Sequence, residues 1–386
     1  MVRKERNSSF ELLRIVAMLL IVMHHYSVHG GFDYMGRLDM RLYFVQCLSM
    51  GGKVGVNLFV LISGFFLCTA DFNWRRIIRL ELEVIFYSVL IAIAFHFLRP
   101  GYGSLRQISK DLTPLQSERY WFYNSYFLLA LLSPFLNKLV AALDKREFQK
   151  LLLLFSILWV VVPVVPKLRA LQMTDQGWFL FLYLCAAYIR LFNGDFRHGK
   201  GLYIMLGAGV YVAILLSVAV VDVLSLKSLG LRKEFVYFLT MNSILVFPCS
   251  ILLLIGFSKW DMGCRKAVNL LSSATFGVYL IHDNYLVRPF LWNEVFRNRS
   301  FLHSNRLFLH AAVAILAVYV ACTLLDLVRQ YAFEKPLCML VDRVRIALDR
   351  GGTPAGSCEP VAGGDSASGG GLPTGHGGSS VTGDRR

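Results

Sequence analysis

The sequence predicts an all-α integral membrane protein of about ten transmembrane helices, followed by a disordered, Gly/Ser-rich C-terminal tail. Three observations carry this. Apolar residues make up 56% of the 386 and charged residues only 17%, where a soluble chain carries about 25% charged residues. Apolar runs recur from residue 10 to residue 328, most of them close to the roughly 20 residues that cross a bilayer. From Gly351 onward large apolar side chains almost vanish, and such a stretch cannot bury a core. Residues 1–345 are therefore expected to form one polytopic membrane domain and residues 351–386 a tail. A soluble globular enzyme is excluded by the mean hydropathy of +0.54.

The runs fall at 10–28, 54–70, 82–98, 121–140, 150–166, 177–192, 203–221, 235–256, 267–286 and 307–328. The first opens with Ser8 and Glu11, the spacing of a capping box that satisfies orphan helix amides. It ends at Met23, His24, His25 and Tyr26, with no small-x-small cleavage pattern, so it reads as a retained helix. The second carries Gly55, Ser63 and Gly64, small residues that let helices approach closely. Arg75, Arg76 and Arg79 precede the third. The fourth opens on Glu118, Arg119, Tyr120, Trp121 and Tyr123, an interfacial aromatic belt. The ninth is the most polar, with Ser272, Ser273, Thr275 and Tyr279, and its polar face must point into protein or water.

The net charge is +15. On an apolar chain this reads as positive-inside loops against anionic membrane lipids, and no nucleic-acid partner is expected. With the N-terminus inside, Arg3, Lys4, Arg6, the Arg75–Arg79 cluster, Lys138, Lys145, Arg146, Lys150, Arg190, Arg197, Lys200, Lys259, Arg265 and Lys266 share one side. That bias places both termini in the cytoplasm. The eight cysteines are scattered with no C-x-x-C pair, so neither a disulfide framework nor a metal site is expected. His29, His96, His303 and His310 show no metal spacing. No G-x-S-x-G, P-loop or H-E-x-x-H motif occurs, and no internal repeat marks an inverted-repeat transporter.

Three groups of residues could carry chemistry. Arg14 and His25 are eleven residues apart, which puts them within roughly 20° of one helix face and about 16 Å apart along it. Glu11 shares that face, and His24 points about 100° away. An intramembrane cation is costly and calls for a reason. Arg75, Arg76 and Arg79 form a cationic patch suited to phosphate oxygens, which guanidinium binds bidentately. Thr275, Tyr279 and His282 lie at i, i+4 and i+7 on one face, and His282 emerges on the same side of the membrane as His25. Structural roles are open for each: Glu11 as a cap, Arg14 snorkelling, the arginines as a positive-inside anchor, and His282 as a hydrogen-bonded core residue.

Taken together, these motifs resemble the membrane acyltransferase-3 family, the integral-membrane O-acyltransferases of bacterial surface polysaccharides. The resemblance rests on Arg14 and His25 in the first span; on Gly55, Val56, Asn57, Leu58 and Phe59 followed by Ser63, Gly64, Phe65 and Phe66; on Arg75, Arg76 and Arg79; and on Phe276 to His282. Trp121 followed by Ser133, Pro134, Phe135 and Leu136 fits as well. It covers residues 8 to 340. It implies about ten helices and an acyltransferase of the class moving groups other than aminoacyl groups. The donor would be cytosolic acyl-coenzyme A, with acetyl the expected group and no permanently bound cofactor. The acceptor would be a polysaccharide hydroxyl or its lipid-linked precursor. By the same resemblance Arg75, Arg76 and Arg79 would hold the coenzyme's phosphates, Arg14 would line the path of its arm, and His25 would act where the sugar arrives. Arg14 and His282 are counted with His25 as catalytic candidates, Arg14 as a donor to the developing oxyanion. Two features depart from the family pattern: Leu80, Glu81, Leu82 and Glu83 stand where a proline is common, and no extracytoplasmic catalytic domain follows the last span. The alternative is a membrane transporter or flippase of a glycan or other metabolite, suggested by the polar residues spread through several spans.

The orientation is directly testable. A reporter fused after Arg350 is expected to be active in the cytoplasm; alkaline phosphatase activity at that junction would invert the topology and move the arginine cluster to the wrong side for a cytosolic donor.

Overall fold

The computed structural model describes residues 7–35, 38–99, 105–117, 119–165, 173–226 and 239–334. Glu118, the first cations Arg3, Lys4 and Arg6, and the predicted tail lie outside the described residues. The chain divides into a unit ending at Ala332, described here, and the remainder from Phe333. Among the described residues every regular element is helical.

Helix α1 (Ser9–Val28) crosses closely against α2 (Met40–Leu67). The reason is a stripe of glycines on α2. A Cβ at Gly55 would meet the Ala17 carbonyl and Ile21, one at Gly51 would meet Leu20, and one at Gly52 would enter the His24 ring. Small residues therefore allow the backbones to approach. Farther along α2, a Cβ at Gly64 would lie 3.0 Å from the Tyr183 backbone. That glycine seats α8 (Asp175–Leu191), whose Trp178, Phe179, Phe181, Leu182 and Tyr183 are fully buried. Helix α2 is thus the axis of the bundle. It begins well before the expected residue 54, because Asp39 caps it through the Arg41 and Leu42 amides. Its first half is masked in the sequence by Gln46, Ser49, Gly51, Gly52 and Lys53.

The remaining helices wrap this axis. Helix α3 (Trp74–Leu98) is capped by Asn73 and opens with the arginine cluster. Two short helices, α4 (Leu105–Asp111) and α5 (Pro114–Ser117), lead to α6 (Trp121–Ala142). Helix α7 (Lys145–Ser156) starts with a capping box of Asp144 and Glu147 and continues through a π turn and a 3-10 turn to Val164. Lys145 donates to Asp195 at 2.7 Å, joining the start of α7 to the turn after α8 and holding that carboxyl below its usual range. Helix α9 (Lys200–Ser225) packs on α10 (Val246–Ser258). Then come α11 (Lys266–Ser273), α12 (Thr275–His282), the short α13 (Val287–Pro289) and α14 (Leu307–Arg329).

Each of the ten expected apolar runs contains helix, but the expectation of about ten complete spans is not borne out in number. Among the described residues six helices are long and apolar enough to cross a membrane: Ser9–Val28, Met40–Leu67, Trp121–Ala142, Lys145–Val164, Lys200–Ser225 and Leu307–Glu334. Helix α3 carries Arg75, Arg76, Arg79, Glu81 and Glu83 in its first turns, α8 and α10 are short, and the ninth run breaks at Ala274 into two helices of eight residues.

The capping box expected at Ser8 and Glu11 is also corrected. Ser8 makes no side-chain cap to its helix. Its hydroxyl instead donates to Asn269 (2.7 Å) and accepts from the Arg265 amide (2.7 Å). Asn7 takes the Ser9 amide. Glu11 is drawn away by two stronger partners, the Arg14 guanidinium and the Ser272 hydroxyl. A charge-assisted bond outcompetes a lone backbone amide.

The core is pinned by Asn57. Its Oδ1 accepts from Trp178 Nε1 (2.9 Å) and its Nδ2 donates to the Met241 carbonyl (2.9 Å), joining α2, α8 and the segment before α10. Removing the amide strands two buried polar groups, each costing about 1–3 kcal/mol. Asn57→Ala is expected to lower the thermal midpoint of the detergent-purified protein by roughly 5 °C or more. Differential scanning fluorimetry against wild type checks this, and an unchanged midpoint would remove Asn57 from the framework.

Candidate active site

Helix α1 presents its polar stripe to the broken span α11–α12. At the lower end Arg14 Nη1 lies 2.9 and 2.8 Å from the two Glu11 oxygens, and Ser272 donates to Glu11 at 2.5 Å. At the upper end His25 Nδ1 lies 2.9 Å from His282 Nε2. Both rings are buried. His24 turns away, as the helical spacing requires. Its Nδ1 donates to the Ser49 carbonyl on α2 at 2.6 Å.

Three cavities follow this stripe. The inner one, about 440 Å3, is walled by Glu11, Arg14, Phe72, Asn73, Arg76, Arg79, Glu83 and Thr275 among others. The outer one, about 180 Å3, is polar: His24, His25, His29, Lys53, Trp121, Asp283 and Arg288 line it. Between them lies a middle cavity of only about 30 Å3. It shares Phe59, Phe122 and Phe276 with the inner cavity, and Ile21, His25, Val56, Trp121 and Asp283 with the outer one. Met18 and Tyr279 complete its wall. The wall residues therefore form one series from the arginines of α3 to the histidines of α1.

The residues singled out from sequence are distributed along this series. Arg14, Arg76 and Arg79 meet at the inner cavity. Arg75 is exposed and lies outside that wall. His25 borders both the middle and outer cavities, whereas His24 borders only the outer one. Thr275 and Tyr279 mark the inner and middle walls, and His282 sits behind His25 as its hydrogen-bond partner. Helical spacing grouped these three on one face; in the fold Thr275 and Tyr279 line the cavities and His282 meets His25.

Sequence reasoning missed Lys53, His29, Asp283 and Arg288. Arg288 binds Asp283 at 3.3 Å, and Lys53 stands over the Trp121 ring at 5.0 Å. The one available signal was Asp283, adjacent to His282 in sequence. Ligand atoms of His25, His29 and Asp283 lie within 4.8 Å of one another. A cation there would compete with Arg288 for the carboxylate and with His282 for His25 Nδ1, and Lys53 adds repulsion, so the donor set does not suit a metal ion.

Chemically, the arrangement offers a wide cavity with three guanidinium groups in its wall, a narrow and largely aromatic neck, and a buried imidazole at the far end of that neck. An imidazole so placed can take a proton or attack a carbonyl. No curated protein and no solved structure matches the chain. A family comparison does: the acyltransferase domain of the acyltransferase-3 family matches residues 7–327. With well over half of the chain inside that match and several helices apolar enough to cross a bilayer, this multi-pass membrane protein belongs to the membrane acyltransferase-3 family and is an acyltransferase.

Proposed function

We propose that the protein moves an acetyl group from cytosolic acetyl-coenzyme A to a hydroxyl of a cell-surface polysaccharide or its lipid-linked precursor, at the inner membrane with both termini cytoplasmic. The observation that carries this reading is the series of three cavities linking Arg76 and Arg79 to His25. Guanidinium groups at the wide inner mouth suit the phosphates of a coenzyme, and Arg75 beside them adds positive field. Arg14 lies about 16 Å down the helix from His25. That is too far for an oxyanion formed at His25, so Arg14 serves the donor's arm in the inner cavity.

At the outer end the chemistry is that of a positioned base. The acceptor hydroxyl gives its proton to His25 as its oxygen bonds to the thioester carbon. Collapse of the tetrahedral intermediate breaks the carbon–sulfur bond, and the proton returns from His25 to the thiolate, leaving an ester and free coenzyme A. An acyl-histidine route uses the same imidazole as nucleophile. Lys53 and Arg288 at the outer wall offer positive charge to the developing oxyanion. No observation favours a transporter, which has no need of an acyltransferase domain.

Two predictions follow from these assignments. Arg76→Ala and Arg79→Ala are each expected to weaken coenzyme A binding about tenfold, the loss of one charge-assisted contact of about 1.5 kcal/mol, with lysine rescuing only in part. Equilibrium binding in detergent measures this; unchanged affinity in both would reduce the cluster to a topology anchor. His25→Ala is expected to lose at least about a hundredfold in glycan acylation, the lower end for a positioned proton acceptor. His24→Ala, whose ring is bonded to α2 and does not border the neck, should lose much less. Equal losses at matched membrane levels would show that the neck does not deliver the acyl group to His25.

A further inference from the structure

The hydrogen bonds behind His25 determine where its proton sits. His282 Nδ1 lies 2.5 Å from the carbonyl oxygen of Val278, one turn back on α12. A carbonyl only accepts, so Nδ1 of His282 carries a hydrogen. In the neutral ring Nε2 is then an acceptor. His25 Nδ1 lies 2.9 Å from that atom, so it must supply the hydrogen of this second bond. Neutral His25 is left with Nε2 bare. Both rings are buried, and an unmade bond there would cost the desolvation of each group.

We propose that His282 is a positioning residue which, anchored on the Val278 carbonyl, locks His25 as its Nδ1–H tautomer and so makes Nε2 the reactive atom. This rests on the reading of His25 as base or nucleophile, and both routes need that nitrogen unprotonated. In the direct route the hydroxyl proton arrives at Nε2 and leaves from Nε2 to the thiolate. His282 keeps its own hydrogen throughout, and His25 returns to the tautomer it started from.

A carboxylate is the usual partner for the rear nitrogen of a catalytic histidine. Here the nearby carboxylate does not take that place. Asp283 Oδ1 is 3.8 Å from His25 Nδ1, outside hydrogen-bonding range, and is held by Arg288. The ionisable groups around His25 are His24 from α1, His29 just after it, Lys53 from α2, Tyr279 and His282 from α12, and Asp283 and Arg288 beyond it. Of these, His282 makes the hydrogen bond to Nδ1. His24 is fixed in the same tautomer by Ser49, but it does not border the neck.

The test separates tautomer control from packing. His282→Gln offers an amide oxygen that can accept from His25 Nδ1, whereas His282→Leu fills space and accepts nothing. In the full-length protein in detergent or nanodiscs, His282→Leu is expected to lower kcat about a hundredfold with the KM for acetyl-coenzyme A within about twofold, and His282→Gln to recover most of that loss. Equal losses in Gln and Leu would overturn the proposal in favour of packing. The direct readout needs no variant at His282. In 15N-histidine-labelled wild type, the resonances absent from His25→Ala should report a protonated Nδ1 and a bare Nε2 near neutral pH. A protonated Nε2 on neutral His25 would overturn the proposal. Should His25→Ala keep full activity while this spectrum is as expected, the reading of His25 as base fails and the tautomer assignment stands.

Discussion

Two contacts between α1 and the broken span set the geometry on which the site depends. Ser272 meets Glu11 at one end, and His282 meets His25 at the other. Fourteen residues separate the partners on α1 and ten on the other strand of the pair, about 21 and 15 Å if helical throughout. The two segments therefore run side by side in the same direction, with their polar faces turned to each other. Neither face could meet lipid without stranding hydrogen-bonding groups. Pairing them satisfies both and leaves their apolar flanks for the rest of the bundle. A cavity series beside α1 is a consequence, since aromatic rings and ion-paired side chains do not interdigitate as closely as the glycine-mediated contact of α1 with α2.

The same rule governs the other buried charges, and it explains where the inner cavity ends. Asp326 on α14 accepts from Tyr87, Arg329 and Gln330, and Arg329 also reaches Glu83. A Cβ on Gly277 would run into the Asp326 carboxylate, so a glycine at that point lets α12 lie against this network. Breaking one member would leave an uncompensated charge, a far larger cost than the pair's net contribution. Glu83 is at once a member of this network and part of the inner wall. The fold thus uses satisfied ion pairs as a rigid lining, and leaves Arg76 and Arg79 exposed beside it.

Much of this was legible from composition and spacing, and what was not has physical causes. The apolar runs located helices because bilayer and core both select long apolar segments. They failed at the N-terminal half of α2, where glycines and buried polar residues face other helices and lower the hydropathy without ending the helix. The ninth run read as one span, and the turn at Ala274 carries no proline or glycine to announce it. The rotation of α1 was legible, since eleven residues fix an angle; the capping box was not, because local spacing says nothing of Asn269, Arg265 and Ser272, more than 250 positions away. Lys53 and Arg288 were invisible for the same reason: their role is given by which helices meet, and only the tertiary structure supplies that. The family resemblance, by contrast, was carried by residues that the fold does gather, with Arg14 and Arg76 at one cavity and His25 and Trp121 at another.

In the proposed reaction, a base buried among apolar helices faces a conflict that this arrangement resolves. It must be neutral at rest, because an unpaired ion in a low-dielectric interior is costly. It must also accept positive charge during reaction. A carboxylate directly behind the imidazole would ease the second step but would itself need solvation or a cation at rest. In this site the two tasks are divided. In the proposed scheme the ring behind His25 stays neutral and is oriented by the Val278 carbonyl, and Asp283, paired with Arg288, has its Oδ1 3.8 Å from His25 Nδ1. As His25 becomes cationic, Asp283 is near enough to interact through space without having been bound to the resting base. The narrow neck complements this. Its wall is largely apolar and aromatic, with His25 and Asp283 as its charged or ionisable members, and its volume is about 30 Å3. In the proposed reaction a thioester filling that neck excludes water from its carbonyl on the donor side. The hydroxyl that competes for the acyl group must then come from the outer cavity, where His25 waits.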